Sequence, residues 1–407
     1  MVQDGSRLAQ HSASEWPATL DVPASVAAGW QPTPLRQFIL KLHQRCNLAC
    51  RYCYVYELAD QTWRDRPRRM SDALTSVVAM RIAEHARAHD LDAVRIIFHG
   101  GEPLLSGPAP LVEALRKIRA AVPARTRVDA WVQTNGTLLD EVTLDSLAGM
   151  KVQVGVSLDG DEMSHDAQRL YPNGRGSYAK VADALQLLMR RPNIYSGLLC
   201  VIDLGASPVA TYEALLKFSP PTIDFQLPHS NWTSPPPSRP DPRLAPYAEW
   251  LIQVFDRWYG SRTRETRIRL FEEILHLLMG GRSATEAVGL TPTSLVVIET
   301  DGSIELSDAL KSAFHGAAAT GMHIVSNSFD EVLVLPQMAA TQLGLAALSD
   351  ECQVCLVRTV CGGGLFAHRY RAGHGFRHRS VYCEDLFALI TRIRARLITD
   401  LPALSGR

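Results

Sequence analysis

Lysine and arginine together number 42 in a chain of 407 residues and are matched by 42 acidic residues, so no net charge draws the protein toward nucleic acid or an anionic membrane. No run of 18 apolar residues is present, which argues against a membrane-spanning helix, and the opening MVQDGSRLAQHSASEW lacks the apolar core of a secretory signal. A mobile polar tail and a cytoplasmic location are therefore expected, and in that compartment clustered cysteines read as metal ligands rather than disulfides.

From residue 36 short apolar runs alternate with helical patterns. Strands are expected at 37–43, 94–100, 128–134, 152–158, 195–202 and 223–227, with helices between them at 72–89, 109–122 and 177–191. The third of these helices opens at Ser177, a residue type suited to the N-cap. Repeated strand–helix units imply a parallel sheet with right-handed crossovers. Six units are too few for a closed eight-stranded barrel, so the expected α/β fold is a (β/α)6 partial TIM barrel. A proline-rich surface loop (234–242) interrupts the pattern, and two helices follow near 244–259 and 266–279. Asp301-Gly302 between two extended runs predicts a hairpin. The expected organisation is a tail (1–35), a barrel (36–243), bridging helices (244–285) and a C-terminal extension (286–395).

Of eight cysteines, Cys200 stands alone in an apolar run and reads as a buried structural thiol. Cys46-x3-Cys50-x2-Cys53 follows the first strand directly. Thiolates at this spacing can ligate neighbouring corners of an iron–sulfur cubane and leave the fourth iron open. His43 lies close by, so a Cys3His zinc site is the alternative. The segment Gly100-Gly101-Glu102-Pro103 ends the second strand, Gln133-Thr134-Asn135-Gly136 the third and Ser157-Leu158-Asp159-Gly160 the fourth. Parallel α/β folds and barrels build active sites at such strand ends.

The cysteine loop, in register with GGEP and SLDG, resembles the radical S-adenosylmethionine (SAM) superfamily. The resemblance implies that SAM chelates the open iron and that its reductive cleavage yields a 5′-deoxyadenosyl radical that abstracts hydrogen from an inert C–H bond. It also implies that Tyr52 packs near adenine and that GGEP holds the SAM amino group, with bare glycine backbone in close approach and a carboxylate suited to an ammonium. Asn135 is expected at the cofactor, Ser157 at the ribose and Arg169 on the SAM carboxylate.

Four further cysteines, Cys352-x2-Cys355-x5-Cys361 and Cys383, can ligate a second [4Fe–4S] cluster completely; four-cysteine zinc is the alternative. The pattern resembles the SPASM extension of radical SAM enzymes that modify peptides and proteins. It departs from the full extension, because Leu306-Ser307-Asp308 stands where a cysteine is expected and Leu365 occupies another such position. Two clusters in total are thus expected, one catalytic and one auxiliary. Asp308 matches a position that acts as a base in some of these enzymes, although an aspartate at a hairpin end is more often structural.

The stretches PLRQFILKLHQRCNLACRYCYVYELADQTWR and CGGGLFAHRYRAG further resemble the FxsB-type maturases, grouped with enzymes that make three-residue cyclophanes; the similarity covers about residues 35–390. It implies a ribosomally made precursor peptide as substrate and a C–C bond between an aromatic ring carbon and the Cβ of a residue two positions later. It also implies an external electron donor of the flavodoxin or ferredoxin class. Thioether formation or side-chain oxidation is the alternative within this enzyme class. Outside it stand a zinc-binding peptide-recognition module and a non-catalytic electron carrier, which would leave GGEP and SLDG unexplained. The basic stretch 368–379 reads as a solvated loop or a peptide-docking surface.

Overall fold

The computed structural model describes residues 16–404; residues 1–15 of the expected tail (1–35) lie outside them, while its remainder is structured, with a short helix Val22–Ala27 capped by Asp21 and with Val22 and Leu35 buried. All six expected barrel strands form: β1 (Gln37–His43), β2 (Ala93–Gly100), β3 (Arg127–Thr134), β4 (Val152–Ser157), β5 (Tyr195–Val201) and β6 (Thr222–Gln226). They are parallel neighbours in sequence order, with Phe38 beside Ile96 and Val94 beside Val128. Helices Asp72–Ala88, Ala109–Ala121 and Tyr178–Met189 are among those that pack outside. The two-residue period of a strand divides the labour. On β2, Val94, Ile96 and Phe98 are buried in the core, whereas Ile97 and His99 face an internal cavity.

Side chains start several helices as the sequence suggests. Ser71 caps Asp72–Ala88 by accepting from Leu74 N at 3.1 Å, and Asp140 accepts from Thr143 N at 2.7 Å. Ser177 differs from expectation. Its hydroxyl donates to Arg169 O at 2.7 Å, and Asp166 Oδ1 instead accepts from Ser177 N and Tyr178 N, both at 2.8 Å. The bridging helices begin later than expected, at Pro246–Tyr259 and Arg269–Leu278. Proline favours the first helical turn, and Arg267–Ile268 is drawn into a short strand, β7, beside β6.

The expected hairpin is present: β8 (Leu295–Ile298) runs antiparallel to β9 (Ser303–Glu305), which pairs with β10 (Ala319–His323). β8 also pairs in parallel with β1, Gln37 beside Leu295, so the sheet continues from the barrel across the boundary expected near residue 285. The result is one ten-stranded sheet ordered β10-β9-β8-β1-β2-β3-β4-β5-β6-β7. The C-terminal region is thereby hydrogen-bonded to the strand that launches the cysteine loop. Proline-rich 234–242 is a loop, as expected, but Arg239 in it is buried and reaches Val381 O (2.5 Å) and Asp385 Oδ2 (3.2 Å). Cys200 is 1 % exposed on β5, and burial pushes its thiol well up, as suits a structural residue. Among the described residues no helix is long and apolar enough to cross a membrane.

Candidate active site

A cavity of about 500 Å³ opens at the C-terminal ends of the barrel strands and is closed on its far side by the C-terminal region. Parallel strands leave their last residues pointing into such a space, which is why the motifs read from separate segments meet there. Cys46, Cys50 and Cys53 line it, together with Tyr52, Gly100, Gly101, Asn135, Ser157 and Arg169. Asp308 lines the same cavity.

The cysteine loop is pinned by its neighbours. Ala49 N donates to Leu170 O at 2.7 Å and Arg51 N to Gln168 O at 3.0 Å, which ties the loop to the segment carrying Arg169. Asn135 Nδ2 donates to Asn47 Oδ1 at 2.9 Å and reaches Cys46 Sγ at 3.6 Å. Ser157 Oγ accepts from Gln133 Nε2 at 3.0 Å. Gly101 is required by contact: a Cβ there would stand 2.4 Å from the Arg45 carbonyl.

Glu102 ties two strand ends together. It is fully buried, and its carboxylate accepts from Leu104 N (3.0 Å), Thr134 Oγ1 (2.8 Å) and Asn135 N (2.9 Å). Gly100 and Gly101 face the cavity, while the glutamate joins the ends of β2 and β3 from behind; Pro103 lies behind with it. Tyr52 OH donates to Asp159 Oδ2 and accepts from Arg169 Nη1 at 2.7 Å. Asp159, which sequence reading left without a role, also accepts from Val201 N at 3.0 Å and lies 4.0 Å from Arg169. Arg169 Nε is buried without a partner beside the cavity.

These residues suit the cofactors. The unmet donor of Arg169 calls for an acceptor such as a carboxylate. Burial pushes Cys46 up to about 12 and Cys53 up to about 11, values at which a thiol is inert unless a metal binds its thiolate. No three cysteine Sγ atoms among the described residues lie within 4.8 Å of one another.

At the second cluster, Cys361 ends a short helix (Arg358–Cys361), Cys352 lies in another (Asp350–Gln353), and Cys383 opens the long helix Cys383–Leu404. Burial raises Cys361 to about 12 and Cys383 to about 11. Arg369 is buried beneath them and donates to three glycine carbonyls, Gly362 (2.6 Å), Gly363 (3.1 Å) and Gly364 (2.9 Å). Burial lowers its pKa, and the opposing charges it meets are those of Cys361 and Cys352. A buried guanidinium balanced by thiolates matches an anionic metal–thiolate group. None of these four cysteines lines the cavity, as suits a fully ligated site.

Asp308 belongs to a buried ion network. Lys41 Nζ, on β1, lies 2.6 Å from Asp308 and 2.7 Å from Glu299; Lys311 lies 2.6 Å from Glu299 and 2.8 Å from Glu305; Arg66 contacts both glutamates. Three cations balance three carboxylates, so this acidic group needs no metal ion. Burial opposes ionisation of Asp308, yet Lys41 and Lys311 outweigh it and hold the carboxyl well below its usual range. Its Oδ2 has no hydrogen-bond partner and lies 3.8 Å from His99 Nδ1. Sequence reading missed Lys41, His99, Tyr54, Glu286, His229 and His368, all but Lys41 on the cavity wall. Glu286 accepts from Thr293 Oγ1 at 2.8 Å and Ser307 Oγ at 3.3 Å, and burial raises its carboxyl.

Residues 40–205 match the model of the radical SAM superfamily. The chain is 26 % identical over 353 residues to a serine-type anaerobic sulfatase-maturating enzyme of Klebsiella aerogenes, covering 84 % of this chain and 82 % of the relative. Among solved structures it resembles native anSMEcpe with bound AdoMet and Cp18Cys peptide, with a TM-score of 0.76 at 22 % identity over 90 % of this chain and 99 % of the other. Streptococcus suis SuiB bound to its precursor peptide SuiA gives a TM-score of 0.56 at 14 % identity, over 88 % of this chain and 78 % of SuiB. The fold is thus that of anSMEcpe, an α/β core with a C-terminal extension, and the part of the core at residues 40–205 is similar to the radical SAM superfamily.

Proposed function

We propose that this enzyme, which works by SAM radical chemistry with SAM and iron–sulfur clusters as its cofactors, is a peptide maturase that joins an aromatic ring to a side-chain Cβ of a ribosomally made precursor. The observation that carries the reading is the single, mostly apolar cavity shared by the three-cysteine loop and Asp308. The sulfatase-maturating relative and the peptide-bound structures of anSMEcpe and SuiB support a peptide in that space.

In this reading Cys46, Cys50 and Cys53 hold the catalytic cluster, and Cys352, Cys355, Cys361 and Cys383 the auxiliary one. When bound, the cofactor supplies a carbon-centred radical that takes one hydrogen from the substrate. Gly100 and Gly101 offer backbone to the SAM amino group, Arg169 meets its carboxylate, Ser157 and Asn135 border it and Tyr52 packs at the adenine. Apolar Ile39, Ile97 and Leu199 keep water from the reacting centre. Asp308, held ionised by Lys41, presents the unbonded Oδ2 as the acceptor for the proton the ring loses, and the electron lost with it would pass to the auxiliary cluster that Cys352, Cys355, Cys361 and Cys383 would hold. A flavodoxin- or ferredoxin-like protein supplies the electron.

The test is anaerobic reaction of the reconstituted enzyme with SAM, reductant and the short peptide encoded beside its gene. Formation of 5′-deoxyadenosine with loss of two hydrogens per crosslink is expected; a precursor left unchanged while SAM is cleaved counts against the reading. The likeness to sulfatase-maturating enzymes supports a second reading, modification of one side chain without a crosslink. Tandem mass spectrometry separates the two by whether ring and Cβ fragments stay joined.

A further inference from the structure

Two histidines have no part in the chemistry above and are left unsatisfied by the fold. His229 follows β6, and His368 lies in the short 3-10 helix Phe366–Arg369; both line the cavity near Tyr54. His368 is 4 % exposed. Nδ1 of His229 and Nε2 of His368 are buried without a partner, and neither ring hydrogen-bonds to a described residue. Burying polar groups in this state costs stability that an apolar pair of similar shape would not.

The rings are held in place. Tyr382 OH donates to Pro228 O at 2.8 Å, and its ring meets His368 edge-on at 4.9 Å. Trp232 N donates to Tyr370 O at 3.0 Å and its Nε1 to Arg379 O at 2.7 Å, which stitches the loop after β6 to the C-terminal region. Tyr54 packs edge-on against His229 at 4.5 Å.

The imidazole centroids are 6.1 Å apart. A direct N–H···N bond would bring them to about 5.2 Å at most, whereas one oxygen bonded to both rings spans up to about 8 Å. The pair cannot satisfy itself, but a single oxygen between the rings can satisfy both. Burial holds both rings neutral, so each offers one donor and one acceptor. Which of the two unpartnered nitrogens carries the proton depends on the tautomer of each ring, and a hydroxyl, which both donates and accepts, fits a pair in which one ring donates and the other accepts.

We propose that His229 and His368 form a subsite that receives a side-chain hydroxyl of the peptide substrate, either a phenol or an aliphatic alcohol. The inference rests on the peptide-maturase reading and adds a specificity element to it. Both histidines line the same cavity as Asp308.

The test titrates the reconstituted, SAM-loaded full-length enzyme by calorimetry with four capped tripeptides, acetyl-Gly-X-Gly-amide, where X is Tyr, Phe, Ser or Ala. Tyr should bind about tenfold or more tighter than Phe if the group is a phenol, or Ser than Ala if it is an alcohol. The double variant His229→Leu/His368→Leu should abolish that preference, with SAM affinity in the same titration reporting an intact fold. The milder pair His229→Asn/His368→Asn, which keeps a donor and an acceptor at each position, should retain part of it. Equal affinities within each pair, no binding by any of the four, or a preference that survives in the leucine variant would overturn the subsite and leave a recess that holds water. A lost subsite with a precursor still crosslinked refutes this inference alone; a hydroxyl preference with every precursor unmodified refutes the maturase reading alone.

Discussion

Each of the two cysteine clusters is built around one buried charge of opposite sign. At the first, Glu102 collects backbone and hydroxyl donors from the ends of β2 and β3, behind three thiols that open onto the cavity. At the second, Arg369 collects the carbonyls of Gly362, Gly363 and Gly364, beneath four thiols that do not reach the cavity. Gly362 there has φ 61° and packs so close to the Gly289 carbonyl that a Cβ would stand 1.7 Å from it. The contrast shows how one ligand type serves two ends. The anion braces two strand ends beside the cavity, whereas the cation gathers carbonyls close to thiols whose ionised form it would offset.

The largest effect should come from breaking the open end. Cys46→Ala, Cys50→Ala or Cys53→Ala should abolish 5′-deoxyadenosine formation and lower bound iron from about eight to about four per chain, read by product chromatography and metal analysis. Cys361→Ala should also leave about four irons, but keep SAM cleavage while losing peptide modification. A variant that cleaves no SAM would erase the distinction between the clusters.

Glu102→Ala removes three hydrogen bonds and strands buried donors, so a loss of about 3 kcal/mol is expected in urea unfolding. Arg369→Met should cost about 2 kcal/mol by the same logic. It should also make the auxiliary cluster harder to reduce, because a nearby positive charge favours the reduced form; a potential unchanged in redox titration would remove Arg369 from that role.

His165 sharpens the comparison through pH. Burial, then Arg169, pushes it down to about 3 from an ordinary 6.5, and its Nδ1 accepts from Asp159 N at 3.3 Å. The unfolded chain binds a proton that the folded chain refuses, so this contribution is full above about pH 6.5 and is lost as pH falls toward 3. His165→Gln should flatten the fall of the urea midpoint across that window; an unchanged slope would place the acid sensitivity elsewhere. The smallest effect is a control outside both clusters. Ser328→Ala removes the capping box of helix Phe329–Leu333 and should cost about 1 kcal/mol in unfolding without touching iron content or SAM cleavage.

The seven clustered cysteines, GGEP and SLDG were legible because each is local: spacing within one loop sets what that loop can ligate. The six strands and the Asp301-Gly302 hairpin were legible for the same reason, since alternation and turn chemistry act over a few residues. Ser177 was misread as a capping side chain because a distant acceptor, Arg169 O, took its hydroxyl. That the Glu102 carboxylate accepts from Leu104 N, Thr134 Oγ1 and Asn135 N was likewise invisible, because two of those donors lie more than thirty residues away.

Sequence alone thus determined the parallel strand–helix core, the hairpin and the gathering of seven of the eight cysteines into two groups. Only the tertiary structure decided which of these faces the cavity, because the pairing of β8 with β1 swings the C-terminal region over the barrel mouth. That pairing brings Lys41 to Asp308 across 267 residues and sets His368 beside His229, contacts that no local pattern encodes. Long-range burial, not local spacing, makes those charges and unpaired nitrogens consequential, since the cost of an unmet polar group depends on the water it has lost.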